Sequence, residues 1–280
     1  METRKSDITI KGKQMLLNSH SSNRRASWLL VFVSAITLLT CTNVSAWHDH
    51  PGISRAGIEL LPERDKAMLG NAADALVKEY CMYPDWYRSE QKEKIALSKP
   101  YVQLPLLKDL GVWHKCNDDD SATCFYIVAT SMNNAVKQLR RGNPSEAAKY
   151  MGPLLHFIED NACPVHVVDN KLLAELYPVP EELKPFPLHR RVEEGTFPLE
   201  VSDYQVKLLG TNVVDAATAF YPRFLQNRLS ARSQAIPILK AVYAGNKQDA
   251  DKGRAQAAIP AAKLIADVIH TICTIAREGE

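Results

Sequence analysis

The chain has 280 residues, of which 46% are hydrophobic and 24% are charged, as in an ordinary soluble globular protein. Residues 1–46 contain six of the 34 basic residues and two of the 32 acidic ones, which leaves 28 basic and 30 acidic residues in the remainder. The formal net charge of +2 therefore comes from the first 46 residues. A near-neutral remainder lacks the basic excess of proteins that bind duplex nucleic acid, so this class is not expected.

The first predicted element is a secretory signal peptide over residues 1–46. The apolar run WLLVFVSAITLLT at 28–40 is too short to span a bilayer comfortably, NRRAS precedes it, and VSA follows it. Cleavage after Ala46 would begin the mature chain at Trp47, in the sequence WHDHPG. The protein is therefore expected to be exported to the periplasm or the extracellular space. A retained membrane anchor and a lipoprotein cut at Cys41 are the alternatives.

Five cysteines remain after that cleavage, in a compartment where disulfides persist. The number is odd, so at least one thiol stays free or pairs with another molecule. Cys116 and Cys124 flank the loop sequence NDDDSAT, and this pair is the one disulfide that we expect.

The rest of the sequence predicts one all-α domain over residues 47–280. Apolar residues recur at helical intervals in seven segments: 63–80, 124–141, 145–162, 189–195, 203–228, 231–244 and 251–277. A Pro-rich connection, LYPVPEELKPFPL, precedes the fourth segment, and Pro260 is expected to kink the last one. No pair of alternating β-runs joined by a hairpin turn occurs, and no repeat has a fixed period.

Two pairs of histidine and carboxylate residues lie at a four-residue spacing. HFIEDNACPVH contains His156 and Asp160, which share one face of a helix, and it ends at His166. HRRVE contains His189 and Glu193. Imidazole nitrogen and carboxylate oxygen suit zinc, although such a pair on a surface helix is usually a solvated polar pair. The apolar residues beside His156 and Asp160 favour a metal site, because an ionised Asp near a core needs partners.

Two further ligand candidates are isolated residues beside aromatic side chains. Asp85 lies in YPDWY, where it can equally cap or close a turn, and His114 lies in VWHKC, where it can equally be an ordinary half-buried histidine. Trp86, Tyr87 and Trp113 adjoin these two residues and are candidate substrate-binding side chains, with core packing as the alternative. The concentration of histidine and acidic residues beside apolar segments indicates a shared metal site.

The order of these residues along the chain resembles the order of the metal ligands in the zinc-dependent phospholipase C and single-strand-specific nuclease superfamily. Members of this superfamily are exported, mostly helical phosphodiesterases. The resemblance covers essentially the whole chain after residue 46 and implies an all-α fold with a cleft that holds three zinc ions. His50 matches better than His48, because HPGISRAGIELL continues into a helical apolar pattern. The positions that match the family's ligands are Trp47, His50, Asp85, His114, His156, Asp160, His166, His189 and Glu193.

The same resemblance implies how the three zinc ions are shared. The ligands of the first ion would be Asp85, His114, His156 and Asp160. Those of the second would be His166, His189 and Glu193. Those of the third would be the α-amino nitrogen and carbonyl oxygen of Trp47 together with His50 and Asp160, so that Asp160 bridges two ions. The interval between Asp85 and His114 is long for the family, which is a departure from its pattern.

The function implied by these residues is that of a secreted zinc-dependent phosphodiester hydrolase. A water held between two zinc ions would supply hydroxide for in-line attack on phosphorus, the third ion would stabilise the leaving oxygen, and Asp85 would orient the nucleophile or take its proton. Glu193 favours phospholipase C activity on a lipid headgroup. The long spacing from His166 to His189 favours the alternative, cleavage of single-stranded nucleic acid. A monomer without an obligate protein partner is expected.

A function of another class stays open at this point, that of a non-catalytic helical export protein that binds zinc for structure. Structural zinc sites are usually closed sets of four ligands and are often rich in cysteine. The ligand set here is rich in His, Asp and Glu, which favours catalysis.

The predicted ligand at the mature N-terminus gives a testable prediction. N-terminal sequencing of the exported protein should read Trp-His-Asp-His, because only cleavage after Ala46 creates the free amine of Trp47. One extra residue ahead of Trp47 should remove the third zinc ion, as counted by elemental analysis. Full activity and a full zinc complement in the extended protein would contradict this role of Trp47.

Overall fold

Helices are the only regular elements in residues 49–89, 91–104 and 118–279, which the computed structural model describes. This confirms the predicted all-α class, and these residues belong to one compact unit, Val44–Glu280. Two 3₁₀ turns, Tyr80–Met82 and Glu181–Leu183, lie between helices. The α-helices of the described residues are α1 His50–Glu59, α2 Glu63–Leu69, α3 Ala72–Lys78, α4 Tyr83–Arg88, α5 Lys92–Val102, α6 Ser121–Arg140, α7 Pro144–Asp160, α8 Pro164–Val167, α9 Asn170–Leu176, α10 Leu188–Glu193, α11 Val213–Tyr243 and α12 Lys247–Glu278.

Four of the seven predicted helical segments agree closely with observed helices. Segments 124–141, 145–162, 189–195 and 251–277 correspond to α6, α7, α10 and α12, with ends displaced by a few residues. The last of these continues as one helix through Pro260.

The predicted helix over 63–80 is instead two helices, α2 and α3. Gly70 ends α2 with a φ of 51°, a backbone conformation that interrupts a right-handed helix.

The predicted helices 203–228 and 231–244 are also corrected. They form one helix, α11, and residues 203–212 lie outside it. The reason lies in α12, because the backbone N–H groups of Lys207 and Leu209 donate to the side chains of Asp267 and Thr271 at 2.6 and 3.0 Å. Side-chain acceptors from a distant helix therefore replace the local helical hydrogen bonds here.

The core of the domain is built around α12, which packs against α1, α6, α7 and α11. Small residues make this packing close: Ala257, Ala258, Ala261 and Ala262 of α12 are completely buried. Among the described residues, α12 is also the one helix long and apolar enough to cross a membrane, and most of its apolar stretch is buried inside the protein.

The second half of α7 is the most deeply buried helical segment near the predicted ligands. Every residue from 151 to 160 is buried, although this stretch includes His156, Glu159 and Asp160. Gly152 lets α7 lie against the 3₁₀ turn at 80–82, since a Cβ at this position would come within 2.3 Å of the carbonyl oxygen of Tyr80. The position of the three ionisable residues thus depends on one close backbone contact.

Replacement of Gly152 by Ala should therefore destabilise the protein. The new methyl group meets backbone atoms that cannot rotate away, and overpacking of this kind costs about 1–3 kcal/mol of unfolding free energy. Gly253→Ala is the matched control, because its nearest neighbour at 2.6 Å is the movable side chain of Ile238. Denaturant unfolding measures both variants, and equal stability of Gly152→Ala and the unmodified protein would contradict the close contact.

Candidate metal centre

Asp160, the last residue of α7, is completely buried and lies among three imidazole rings. Its Oδ1 is 3.4 Å from Nε2 of His50 and 3.3 Å from Nδ1 of His166, and its Oδ2 is 3.3 Å from Nε2 of His156. Two ligand atoms bound to one zinc ion at about 2.0–2.2 Å in tetrahedral geometry lie about 3.3–3.5 Å apart. The separations around Asp160 are those of atoms that share a metal ion rather than those of short hydrogen bonds.

A second group of donor atoms lies around Glu193, which α10 presents together with His189. Oε1 of Glu193 is 2.9 Å from Nε2 of both His166 and His189, and these two nitrogens are 3.3 Å apart. Arg254 of α12 fixes α10 in this position, since its guanidinium donates to the carbonyl oxygens of Val192 and Arg191 at 2.9 and 2.8 Å. His189 is the most accessible member of the group, with 34% of its side chain exposed.

Asp85 joins the first group from α4. Its Oδ1 lies 3.7 Å from Nε2 of His156, and 14% of its side chain is exposed, so the centre reaches solvent on this side. The structure therefore brings together seven of the nine predicted ligands, which come from five helices: His50, Asp85, His156, Asp160, His166, His189 and Glu193. Trp47 and His114 lie outside the described residues.

The predicted substrate-binding aromatics are only partly accessible. Trp86 and Tyr87 are half-buried and pack against the core. The ammonium group of Lys94 lies 4.9 Å from the ring centroid of Trp86, and the hydroxyl group of Tyr87 accepts a hydrogen bond from Gln103. Trp113 lies outside the described residues.

Two of the imidazole rings are held in place by hydrogen bonds from the nitrogen that faces away from the centre. Nδ1 of His50 lies 2.8 Å from Oε2 of Glu159, whose Oε1 accepts a hydrogen bond of 2.5 Å from the hydroxyl group of Ser54. Nδ1 of His156 donates to the carbonyl oxygen of Cys81 at 2.7 Å. Each contact leaves Nε2 as the nitrogen available to a ligand, which is the usual arrangement of metal-bound histidine.

Several buried polar atoms of the centre have no hydrogen-bond partner among the described residues: Nε2 of His50, Oδ2 of Asp85, Nδ1 of His166 and Oε2 of Glu193. Buried polar atoms are nearly always paired, so each of these requires an explanation such as an ion. All four belong to residues whose other atoms are already grouped at ligand distances. They fit the requirement of a cation, since a carboxylate oxygen and an unprotonated imidazole nitrogen each offer a lone pair.

The carboxylates of the centre raise the pKa values of two of its histidines. Burial alone would lower the pKa of His50, but the carboxylates of Asp160 and Glu159 outweigh it and raise the pKa well above its ordinary value. Burial alone would also lower the pKa of His166. The carboxylates of Asp160 and Glu193 outweigh this effect and raise the pKa to about 9. In the absence of a metal, protons on these rings balance the carboxylates. Metal ions compete with protons for the same nitrogens.

These groups can therefore hold metal. Ligand atoms of His50, His156 and Asp160 lie within 4.8 Å of one another, and so do those of Cys163, His166 and Glu193. Buried imidazole nitrogen, carboxylate oxygen and thiol sulfur together suit transition metals better than magnesium or calcium, which prefer oxygen.

Sequence reasoning missed three residues of the centre: Ser54, Glu159 and Cys163. Glu159 carried a signal, because it is a charged residue inside an apolar helix, directly before a predicted ligand. Ser54 and Cys163 carried none, since their roles depend on contacts between distant helices. Cys163 is a free buried thiol, as are Cys81 and Cys273, and the predicted disulfide involves Cys116, which lies outside the described residues.

Comparisons with models of known protein families, with curated proteins and with solved structures find no match to this chain.

The contact between Glu159 and His50 gives a test of the centre. Glu159→Ala removes the acceptor that orients His50, and loss of such a partner weakens metal binding by about 10–100-fold. Glu159→Gln keeps an acceptor of the same shape without the charge, so its loss of affinity should be smaller. Glu63→Gln, at a side chain that is 89% exposed, is the control. Calorimetric zinc titration measures all three, and unchanged affinity in Glu159→Ala would contradict the role of Glu159.

Proposed function

We propose that this protein is an exported zinc-dependent phosphodiester hydrolase with phospholipase C-like activity. The observation that carries the proposal is the convergence of seven histidine and carboxylate residues from five helices on one buried centre. Their order along the chain is that of the ligands in the zinc-dependent phospholipase C and nuclease superfamily. Export follows from the predicted signal peptide, and a monomer remains the expected state.

The donor atoms support three zinc ions distributed as the resemblance implies. The ligands of the first ion would be Asp85, His114, His156 and Asp160. The ligands of the second ion would be His166, His189 and Glu193. His50 and Asp160, together with the N-terminal Trp47, would hold the third. The two oxygens of Asp160 support its bridging role, because Oδ2 faces His156 while Oδ1 faces His50 and His166.

Zinc bound at such a centre supplies Lewis-acid stabilisation of phosphate oxygens and lowers the pKa of water. The protein's own contribution is to position these groups and to exclude bulk solvent. Glu159 and the carbonyl oxygen of Cys81 fix two imidazole rings, so the centre needs little reorganisation. Asp85 is partly exposed and retains a carboxylate oxygen without a partner among the described residues. It is placed to orient an attacking water and accept its proton.

A phospholipid headgroup is the substrate that we favour. Nucleases that bind single strands stack bases on aromatic side chains, and this role needs an open ring face. In this protein Trp86 is half-buried, contacts Tyr83 with a centroid separation of 5.8 Å, and has Lys94 over its ring. The aromatic residues beside Asp85 are therefore engaged in packing.

Cleavage of single-stranded nucleic acid is the second candidate. It is favoured by the position of Trp86 and Tyr87 directly after Asp85, where displacement of Lys94 would open a stacking surface. Parallel assays on phosphatidylcholine vesicles and single-stranded DNA separate the two activities. Diacylglycerol release without DNA cleavage supports the lipid substrate, and DNA cleavage alone would reverse the order.

The proposal predicts that activity requires Asp160. Zinc-loaded protein should hydrolyse a chromogenic phosphodiester, and Asp160→Asn should lower kcat/KM by about two orders of magnitude or more, because a bridging charge is lost. Asp169→Asn is the matched control. Asp169 caps α9 by accepting from the N–H of Lys171 at 2.8 Å, and Asn caps equally well. Zinc-replete protein that never hydrolyses phosphodiesters would favour a structural zinc protein.

A further inference from the structure

Cys163 lies in the turn between α7 and α8, within the centre. Its backbone N–H donates to the carbonyl oxygen of Asp160 at 3.0 Å, and its carbonyl oxygen accepts from the N–H of His166 at 3.0 Å. This turn points a completely buried thiol towards Glu193, whose Oε1 is 3.8 Å from Sγ.

The separation between sulfur and oxygen has the value expected for two ligands of one ion. With metal–sulfur and metal–oxygen bonds of about 2.3 and 2.1 Å in tetrahedral geometry, the two ligand atoms lie about 3.6 Å apart. The two Nε2 atoms of His166 and His189, 3.3 Å apart, fit the same geometry. The ligand atoms of Cys163, His166 and Glu193 lie within 4.8 Å of one another, and Nε2 of His189 lies 2.9 Å from the same carboxylate oxygen of Glu193.

We propose that Cys163 is a thiolate ligand of the same metal ion as His166, His189 and Glu193, which makes this a four-ligand site with one sulfur. The proposal rests on the proposed metal centre and deepens it. The S–H proton passes to solvent as the sulfur–metal bond forms. The site would select a sulfur-binding ion such as zinc or cobalt rather than magnesium or calcium.

The position of the sulfur divides the centre into two unlike halves. A site with four protein ligands is closed, as structural zinc sites are, whereas catalytic sites keep an open position. The open positions would then lie in the half formed by Asp85, His156 and Asp160. This agrees with the partial exposure of Asp85, at 14% of its side chain.

Cobalt substitution tests the proposal on the full exported chain. Cobalt(II) bound to a thiolate has a sulfur-to-metal charge-transfer band in the near ultraviolet, which cobalt bound only to nitrogen and oxygen lacks. The unmodified protein should show this band, and Cys163→Ala should lose it. Cys273→Ala is the matched control and should keep the band, because Cys273 is a buried thiol of α12 outside the centre.

X-ray absorption at the zinc edge gives a second measurement that needs no variant, in case Cys163→Ala fails to fold. It should show a sulfur neighbour at about 2.3 Å beside nitrogen and oxygen neighbours at about 2.0–2.1 Å. Bound metal without a sulfur signal, or a charge-transfer band that survives in Cys163→Ala, would overturn the role of Cys163 and leave the metal centre standing. A sulfur signal without phosphodiester hydrolysis would support the role and overturn the proposed function. Failure to bind any ion would overturn both.

Discussion

The structure depends on the burial of several carboxylates around the end of one helix. Residues 151–160 of α7 are removed from solvent, yet they include Glu159 and Asp160, and Glu193 lies beside them with only 1% exposure. Each ionised carboxylate costs several kcal/mol to bury unless it is paired or coordinates a metal. Glu159 is paired with His50 and Ser54. Asp160 is surrounded by imidazoles at distances that a shared metal ion explains, and Glu193 lies 2.9 Å from the Nε2 atoms of His166 and His189.

The surrounding helices act as a rigid frame for these donors. Asn227 of α11 donates to the carbonyl oxygen of Ile158 at 3.0 Å, and the guanidinium of Arg228 contacts the side chain of Asn161. Arg254 of α12 anchors α10. Each side of the centre is thus fixed to one of the two long helices. Ligands held on packed helices keep their geometry better than ligands on loops, which suits a centre that works by preorganised charge.

The parts of the fold and the site that could be predicted are those that follow from the regular repeat of the α-helix. The His-x₃-Asp and His-x₃-Glu spacings follow from the helical repeat, so the relation of His156 to Asp160 and of His189 to Glu193 needs no knowledge of the tertiary structure. The helical class likewise follows from periodicity. The grouping of Asp85 and His50 with these pairs came from the order of residues in a known family and not from spacing.

Long-range contacts account for what could not be predicted. The segment 203–212 has an apolar pattern typical of a helix, but Asp267 and Thr271 of α12 bind its N–H groups. Glu159 acquires its role from α1, whose residues are more than one hundred positions away. Cys163 acquires its place beside Glu193 because α10 packs against α8 and is held by hydrogen bonds from Arg254 of α12. None of these contacts is encoded in a local pattern.

Anomalous X-ray diffraction from crystals of zinc-loaded protein would show whether the centre holds zinc, because it locates zinc without reference to activity. Strong peaks at the zinc edge are expected between Asp160 and the rings of His50 and His156, and a further peak is expected among His166, His189 and Glu193. Direct hydrogen bonds between these imidazoles and carboxylates, with no anomalous peak among them, would contradict this expectation.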